Sequence, residues 1–174
     1  VHHEDVDGVE REARHPGAGL REEQRLALLD AGRRHRLHAG EVPEAILGAG
    51  TLRSAADVRA AKDAGCVFGV SPGYTREIGA ACKAGGLPLL PGVATASEVM
   101  AANADGLNFL KFFPATAAGG VPMLKALAGP FPDVVFCPTG GITLETAPQF
   151  LALPTVKVCG GSWLTPADAI AKGD

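Results

Sequence analysis

From Glu41 onward, short apolar runs alternate with alanine-rich stretches along the chain. Each apolar run ends in Gly, Pro, Ser or Thr, and a stretch with helical spacing follows several of them. Because polar residues do not alternate with apolar ones inside the runs, these are typical of strands buried on both faces of a parallel sheet. The run ends recur about every 20 residues, which predicts a series of βα units. Six runs are recognised, at residues 45–51, 66–73, 87–95, 109–115, 133–141 and 156–163.

Helical stretches are predicted at residues 54–65, 75–86 and 95–106. Ser54 and Thr75 are predicted N-caps, because a hydroxyl oxygen can accept a hydrogen bond from a backbone N–H of the first turn. Gly65 and Gly85 are predicted to stop the same two helices.

Two architectures contain parallel strands of this kind, an open sheet and a (β/α)8 barrel. A dinucleotide-binding open sheet would carry G-x-G-x-x-G after its first strand, and "GAGTLR" at 48–53 has no third glycine. Small or polar residues stand at every strand end, as the mouth of a barrel requires. We therefore predict an α/β fold of the (β/α)8 TIM-barrel type, incomplete because only about six of the eight units are recognisable.

Residues 1–40 differ in amino-acid composition from residues 41–174, and we treat the two as separate segments. All five histidines and seven of the arginines lie before residue 40, where no lysine occurs. Leu20, Leu26, Leu29 and Leu37 have weak helical spacing, and no run there reads as a buried strand. The segment is either a polar N-terminal helix or tail, or the product of a shifted reading frame. We favour the second, because GC-rich codons read out of frame give an excess of Arg, His, Gly and Ala without Lys.

Composition and charge narrow the class of function. A net charge of −3 on 174 residues indicates neither a nucleic-acid-binding nor a membrane surface, and no apolar run approaches the ~20 residues of a membrane span. The charged first residues do not read as a secretory signal. The four cysteines (66, 82, 137 and 159) are far apart, so we interpret them as reduced, mostly buried thiols of a cytoplasmic protein, with no metal site.

Lys111 lies inside an apolar run, "NFLKFFPA" at 108–115, between Leu110 and Phe112. It is either an exposed lysine whose ammonium reaches solvent or a lysine that points into a barrel. An unpaired ammonium is expensive to bury, so a buried lysine is neutral part of the time and can attack a carbonyl carbon to form a Schiff base. The pattern alone leaves both interpretations open.

The last two runs end in paired glycines, in "PTGGI" (138–142) and "GGSW" (160–163). Either pair alone is explained by a tight turn. Consecutive glycines also leave backbone N–H groups free to approach an anion, and barrels hold phosphate in the loops after their last two strands. Two such ends in successive units, one followed by Ser162, favour a phosphate site.

With these motifs, residues 41–174 resemble the class I aldolases of the 2-keto-3-deoxy-6-phosphogluconate (KDPG) and 4-hydroxy-2-oxoglutarate (KHG) family. The matching segments, in family order and spacing, are "EVPEAILGAGT", "FGVSPG", "PLLPGVATASEVM", "LKFFPA", "GPFPDVVFCPTGGI" and "GGSWLTPADA". The resemblance implies a (β/α)8 barrel that assembles as a homotrimer, with residues 41–174 supplying strands three to eight. It implies reversible cleavage of KDPG to pyruvate and glyceraldehyde 3-phosphate, with KHG as an alternative substrate, and no metal or cofactor.

The resemblance also assigns roles to residues of this chain. Lys111 matches the Schiff-base lysine. Substrate-binding positions are matched by Thr51, Pro72, Phe113 and Thr139, and phosphate-binding positions by Gly140, Gly141, Gly161 and Ser162. The partners implied are a phosphorylated keto acid and pyruvate, with no nucleic acid and no membrane.

One part of the family pattern is missing from the chain. The family places its acid/base glutamate on the second strand, in a segment of the E-V-T-x-R type that is not found here. A positioned acid or base contributes roughly 10²- to 10⁴-fold to a rate, so impaired turnover is expected. The alternative function is a non-catalytic, phosphate-binding barrel remnant. A phosphate-binding isomerase or epimerase is a weaker third candidate, because residues 41–174 contain no histidine.

Overall fold

The computed structural model describes residues 13–14, 25–30 and 45–164, with side chains from 46 to 163. The histidines of the first 38 residues lie outside this part of the chain, as do Leu20 and Leu37. The described strands are β1 (Ala13–Arg14), β2 (Arg25–Asp30), β3 (Ala45–Gly50), β4 (Phe68–Val70), β5 (Leu89–Leu90), β6 (Gly92–Val93), β7 (Phe109–Phe112), β8 (Val135–Pro138) and β9 (Val158–Cys159). The described helices are α1 (Ala55–Asp63), α2 (Arg76–Gly85), α3 (Ala96–Ala104), α4 (Gly120–Ala128) and α5 (Ala147–Leu151), followed by a 3-10 turn at Ser162–Leu164.

The strands pair in parallel over most of the described chain. One sheet has the order β2-β3-β4-β5 and a second has the order β6-β7-β8, with only Pro91 between β5 and β6. Parallel bridges, Phe136 to Val156 and Thr139 to Gly160, connect β8 to the β9 segment. A helix follows each of β3, β4, β6, β7 and β8, so the predicted α/β class with parallel strands is confirmed.

Residues 25–30 differ from the sequence prediction. They form β2, which pairs in parallel with β3 from Arg25 opposite Ala45 to Asp30 opposite Gly50. The helical spacing predicted here is therefore wrong, and a strand is present where none was recognised. Pairing with β3 along the whole run provides hydrogen-bond partners for the backbone of these residues. Such tertiary pairing overrides the weak helical spacing of the leucines.

The first strand has a different orientation from the others. β1 pairs antiparallel with β9, through Ala13 opposite Cys159 and Arg14 opposite Val158. Among the described residues no pairing joins β1 to β2, so these strands do not by themselves form a closed ring.

Helices cover one face of the strands. Leu110, Phe112 and Phe136 are fully buried on this face, in a cluster that includes Val99 of α3 and Leu124 of α4. The rings of Phe112 and Phe136 meet edge to face with their centroids 6.5 Å apart, a favourable geometry for an aromatic pair. This packing fixes which face of β7 is turned away from solvent.

The predicted helix starts are confirmed, and one of the stops moves by a residue. The Ser54 hydroxyl accepts a hydrogen bond from the Asp57 N–H at 3.2 Å, and the Thr75 hydroxyl accepts one from the Ile78 N–H at 3.3 Å. Gly65 follows the end of α1 with φ +84°. At the end of α2 the left-handed residue is Gly86, at φ +61°, because Gly85 is still helical.

All four cysteines are buried thiols that form no disulfide, as the sequence predicts. Burial raises the pKa of the Cys66 and Cys82 thiols, and it raises the pKa of Cys159 to about 11. These three thiols are therefore protonated and weakly reactive near neutral pH. In the part of the chain that the structure describes, α2 is the longest helix at ten residues, and no helix could span a bilayer.

The Tyr74 hydroxyl ties the loop after β4 to the end of α3, because it donates a 2.6 Å hydrogen bond to the Asp105 carboxylate. Burial first, and then the Asp105 carboxylate, raise the pKa of Tyr74 to about 12. The native state thus holds this proton more tightly than the unfolded chain, in which a tyrosine titrates at about 10. The resulting stabilisation is complete below pH 10 and is lost as the pH rises through about 12.

We expect Tyr74→Phe to remove this pH dependence. The measurement is the free energy of unfolding in urea between pH 9 and 12, for the wild type and the variant. The difference between the two should shrink as the pH rises through this window. A difference that stays constant with pH would show that the tyrosine proton is not linked to folding.

Candidate active site

Lys111 lies on the face of β7 opposite its buried neighbours. Successive strand residues point to opposite faces, and Leu110 and Phe112 both point into the helix-covered core. Lys111 is half-buried, and its register partners on the neighbouring strands are Gly92 and Cys137. Its amine thus lies on the helix-free face of the strands and does not point toward the helices.

An aromatic ring positions the Lys111 amine. Nζ of Lys111 lies 4.9 Å from the centroid of the Phe113 ring, within the range of a cation–π interaction. A methyl group built on Gly140 would lie 3.3 Å from the same ring, so Phe113 packs directly against the first glycine of the loop after β8. The Phe113 ring therefore contacts both the Lys111 amine and the first glycine of the pair.

Thr139 is the buried polar residue at the end of β8. Its side chain is 9% exposed, and its hydroxyl donates to the Cys137 carbonyl at 3.4 Å. Its backbone N–H donates to the Phe112 carbonyl at 2.9 Å, which ties it to the strand that carries Lys111. A methyl group on Gly160, its bridge partner, would lie 2.7 Å from the Thr139 hydroxyl oxygen. Glycine at 160 is thus what makes room for this hydroxyl.

The loops after β7 and β8 continue the ladder beyond the strands. The Ala115 N–H donates to the Thr139 carbonyl at 2.8 Å, and the Thr116 N–H donates to the Gly140 carbonyl at 3.1 Å. Gly140 and Gly141 both have positive φ, +101° and +73°, a region that favours glycine. Their own N–H groups donate to no acceptor among the described residues. Backbone N–H groups that have no acceptor of their own can approach an anion.

Thr51 and Pro72 stand at the ends of β3 and β4. Thr51 is exposed and has φ +56°, which is unusual for a β-branched residue and is found most often at functional sites. Pro72 packs against the strand next to Lys111, because a methyl group on Gly92 would lie 2.1 Å from the Pro72 carbonyl oxygen. Thr51 and Pro72 thus follow strands of the first sheet, whereas Lys111 lies within β7 of the second.

Gly161 and Ser162 follow β9. A methyl group on Gly161 would lie 2.2 Å from Nε1 of Trp163, so the indole covers this glycine. Ser162 is exposed at the start of the 3-10 turn. The bridge from Thr139 to Gly160 brings this loop next to the Gly140–Gly141 loop.

Three features of the site were not predicted from the sequence. Gly92 and Thr116 are in close contact with the predicted residues, and their contacts are visible only in three dimensions. Asp30 ends β2, in register with Gly50, which immediately precedes Thr51. Among the described strands it is the one that ends in an acid.

Known proteins are similar to this chain in sequence and fold. The family model for KDPG and KHG aldolase matches residues 29–174. A 2-dehydro-3-deoxy-phosphogluconate aldolase of Pseudoalteromonas atlantica is 48% identical over 136 residues, which cover 78% of this chain and 63% of that protein. The chain thus spans less than two thirds of the length of this relative.

Two solved structures are similar in fold as well as sequence. KDPG aldolase from Legionella pneumophila, with pyruvate captured as a covalent carbinolamine intermediate, has a TM-score of 0.74 and 46% identity, covering 78% of this chain and 66% of that one. The KDPG aldolase of Zymomonas mobilis ZM4, with 3-phosphoglycerate, has a TM-score of 0.71 and 49% identity, covering 74% of this chain and 61% of that one. In sequence and fold, the chain is similar to aldolases. It belongs to the KDPG and KHG aldolase family.

Proposed function

We propose that this chain is a Schiff-base aldolase that cleaves KDPG to pyruvate and glyceraldehyde 3-phosphate, with KHG as an alternative substrate. The observation that carries the proposal is the position of the Lys111 amine, on the helix-free face of β7 beside Phe113. The pyruvate carbinolamine in the Legionella relative and the 3-phosphoglycerate in the Zymomonas relative support the two halves of the substrate.

The proposed reaction begins with the neutral Lys111 amine, which attacks C2 of the keto acid to form a carbinolamine. Loss of water gives a protonated imine that withdraws electrons from the C3–C4 bond. When a base takes the C4 hydroxyl proton, this bond breaks, glyceraldehyde 3-phosphate leaves and an enamine stays on Lys111. Protonation at C3 and addition of water release pyruvate and restore the amine. The imine is itself the electron sink, so no cofactor takes part.

The pyruvyl end of the substrate is assigned to the residues nearest the amine. Thr139 offers a buried hydroxyl on the strand adjacent to that of Lys111. Phe113 and Pro72 supply apolar walls, and the strained Thr51 offers an exposed hydroxyl at the end of β3. A small keto acid would thus be held between a hydroxyl pair and two apolar side chains.

The phosphate end is assigned to the glycine loops after β8 and β9. The N–H groups of Gly140 and Gly141 have no acceptor among the described residues, and Gly161 and Ser162 lie in the adjacent loop. Backbone N–H groups bind phosphate without adding a fixed positive charge, which lets the product leave after cleavage.

The assembly and the complete fold are also part of the proposal. We infer a (β/α)8 barrel that assembles as a homotrimer, because the family resemblance implies both, and a cytoplasmic location, because the cysteines are interpreted as reduced thiols. In a closed barrel the helix-free face that carries Lys111 would become the inner surface, out of reach of bulk water.

Proton transfer is the weak step of the proposed reaction. The E-V-T-x-R segment is not found in the sequence, and the acids of residues 46–163 lie on helices or in loops rather than as the last residue of a strand. The second candidate function, a phosphate-binding remnant without turnover, is favoured by this feature alone.

Borohydride trapping tests the proposal directly. We expect incubation with pyruvate and borohydride to add one reduced pyruvyl group to the protein, located on Lys111 by peptide mass mapping. An unmodified Lys111 in folded protein would support the phosphate-binding remnant instead.

A coupled assay for glyceraldehyde 3-phosphate tests whether turnover accompanies imine formation. We expect turnover to be roughly 10²- to 10⁴-fold below that of an intact relative, because a positioned acid/base contributes that much. A rate equal to the relative's would contradict this expectation, and Asp30→Asn would then show whether the acid that ends β2 transfers the proton.

A further inference from the structure

We propose that the Thr116 hydroxyl is an additional donor of the phosphate site, and that it makes this site selective for substrates with a phosphorylated end. This inference rests on the proposed function, since it adds a residue to the anion site formed by the glycine loops. Thr116 lies in the loop after β7, and the family resemblance assigned it no role.

Thr116 is fixed against the glycine pair by its backbone. Its N–H donates to the Gly140 carbonyl at 3.1 Å, and the preceding Ala115 N–H donates to the Thr139 carbonyl at 2.8 Å. These two bonds extend the β7–β8 ladder past the ends of the strands. The position of Thr116 is therefore set by the sheet and not by a free loop.

The side chain of Thr116 stands over the second glycine. A methyl group built on Gly141 would lie 2.8 Å from Oγ1 and 2.9 Å from Cβ of Thr116. Thr116 therefore takes up the space that a side chain at 141 would need, and glycine at 141 makes room for this hydroxyl. The hydroxyl thus lies against a residue whose N–H, like that of Gly140, has no acceptor among the described residues.

The hydroxyl of Thr116 is available to a ligand. The residue is exposed, and Oγ1 has no hydrogen-bond partner among the described residues. A phosphate monoester carries three terminal oxygens that accept hydrogen bonds, and a hydroxyl can donate to one of them while the glycine N–H groups donate to the others. A carboxylate or an unphosphorylated hydroxymethyl end offers fewer acceptors, so this donor should favour the phosphorylated substrate.

Binding of inorganic phosphate provides a test that does not depend on turnover. Trp163 is the one tryptophan of the chain, and its indole covers Gly161, so its fluorescence can report occupancy of the site. Phosphate would be titrated into the wild type and into the variants T116V, T116S and T155V, with chloride holding the ionic strength constant. T155V is the matched control, because Thr155 precedes β9 at the opposite end of the strands.

We expect T116V to raise the dissociation constant of phosphate about 10- to 150-fold, which corresponds to one hydrogen bond to a charged group. T116S and T155V should bind like the wild type. The aldol reaction with pyruvate should lose the same factor in KM for glyceraldehyde 3-phosphate, and none for glyceraldehyde. Circular dichroism would confirm that the variants fold, and T116A replaces T116V if the latter does not.

The outcomes separate the two proposals. Equal phosphate affinity in T116V and the wild type would overturn the role of Thr116, as would a wild type that does not bind phosphate at all. Failure to trap pyruvate on Lys111, with phosphate affinity still dependent on Thr116, would refute the aldolase proposal and leave the anion site in place.

Discussion

We expect Lys111→Met to abolish both the trapped pyruvate adduct and the proposed cleavage of KDPG. Methionine has nearly the length of lysine but no amine, so it cannot attack the keto carbon or form the imine on which bond cleavage depends. We expect the mass spectrum after borohydride treatment to show unmodified protein and the coupled assay to fall to background. The expected effect is large because in the proposed reaction the lysine forms a covalent intermediate, which a methionine cannot form.

The same variant should fold normally. Lys111 is half-buried, and no ion pair to it is present among the described residues, so its charge does not hold the strands together. The unfolding free energy should change by about 1 kcal/mol or less. Lys125→Met, on the exposed side of α4, is the matched control and should keep both the adduct and any activity. An adduct that persists in Lys111→Met would assign the imine to another amine and refute the mechanism.

The strands from β3 to β9 were predictable because their signal is local. Five of the six predicted apolar runs contain one strand each, and the run at residues 87–95 contains two, β5 and β6. The placement of Lys111 follows from the same pattern, since a polar residue between two core residues must point to the other face. Its surroundings depend on three-dimensional packing, which no spacing in the sequence encodes.

The strand at residues 25–30 and the contacts of the site were not predictable in this way. Leu26 and Leu29 fit a helical spacing as well as a strand, and only the ladder to β3 decides between them. The positive φ of Thr51 has no sequence signal, because a β-branched residue is the last choice for that conformation. The roles of Gly92 and Thr116 depend on contacts with residues 20 or more positions away in the chain: Gly92 contacts Pro72, and Thr116 contacts Gly141.

Gly92→Ala should destabilise the protein and disturb the pocket at the same time. A methyl group at 92 would lie 2.1 Å from the Pro72 carbonyl oxygen, 2.3 Å from its carbon and 2.7 Å from the Gly73 nitrogen. All three are backbone atoms, so no side chain can rotate to make room. Overpacking of this kind costs about 3 kcal/mol at its upper range, which lowers the melting temperature of a chain of this size by roughly 6–12 °C.

The shift of the backbone at Pro72 would change the shape of the proposed substrate pocket. Gly92 is in register with Lys111, so an added methyl group would lie on the same face as the amine and push the Pro72 loop away from it. We therefore expect slower trapping of pyruvate in folded Gly92→Ala, measured below its melting temperature. Gly73→Ala is the matched control: it changes the same loop by the same methyl group, but nothing lies within 4 Å of the added atom. If Gly92→Ala melted and trapped pyruvate like Gly73→Ala, the close approach of Pro72 to β6 would not exist in solution, and the pocket wall next to Lys111 would have to be assigned to other residues.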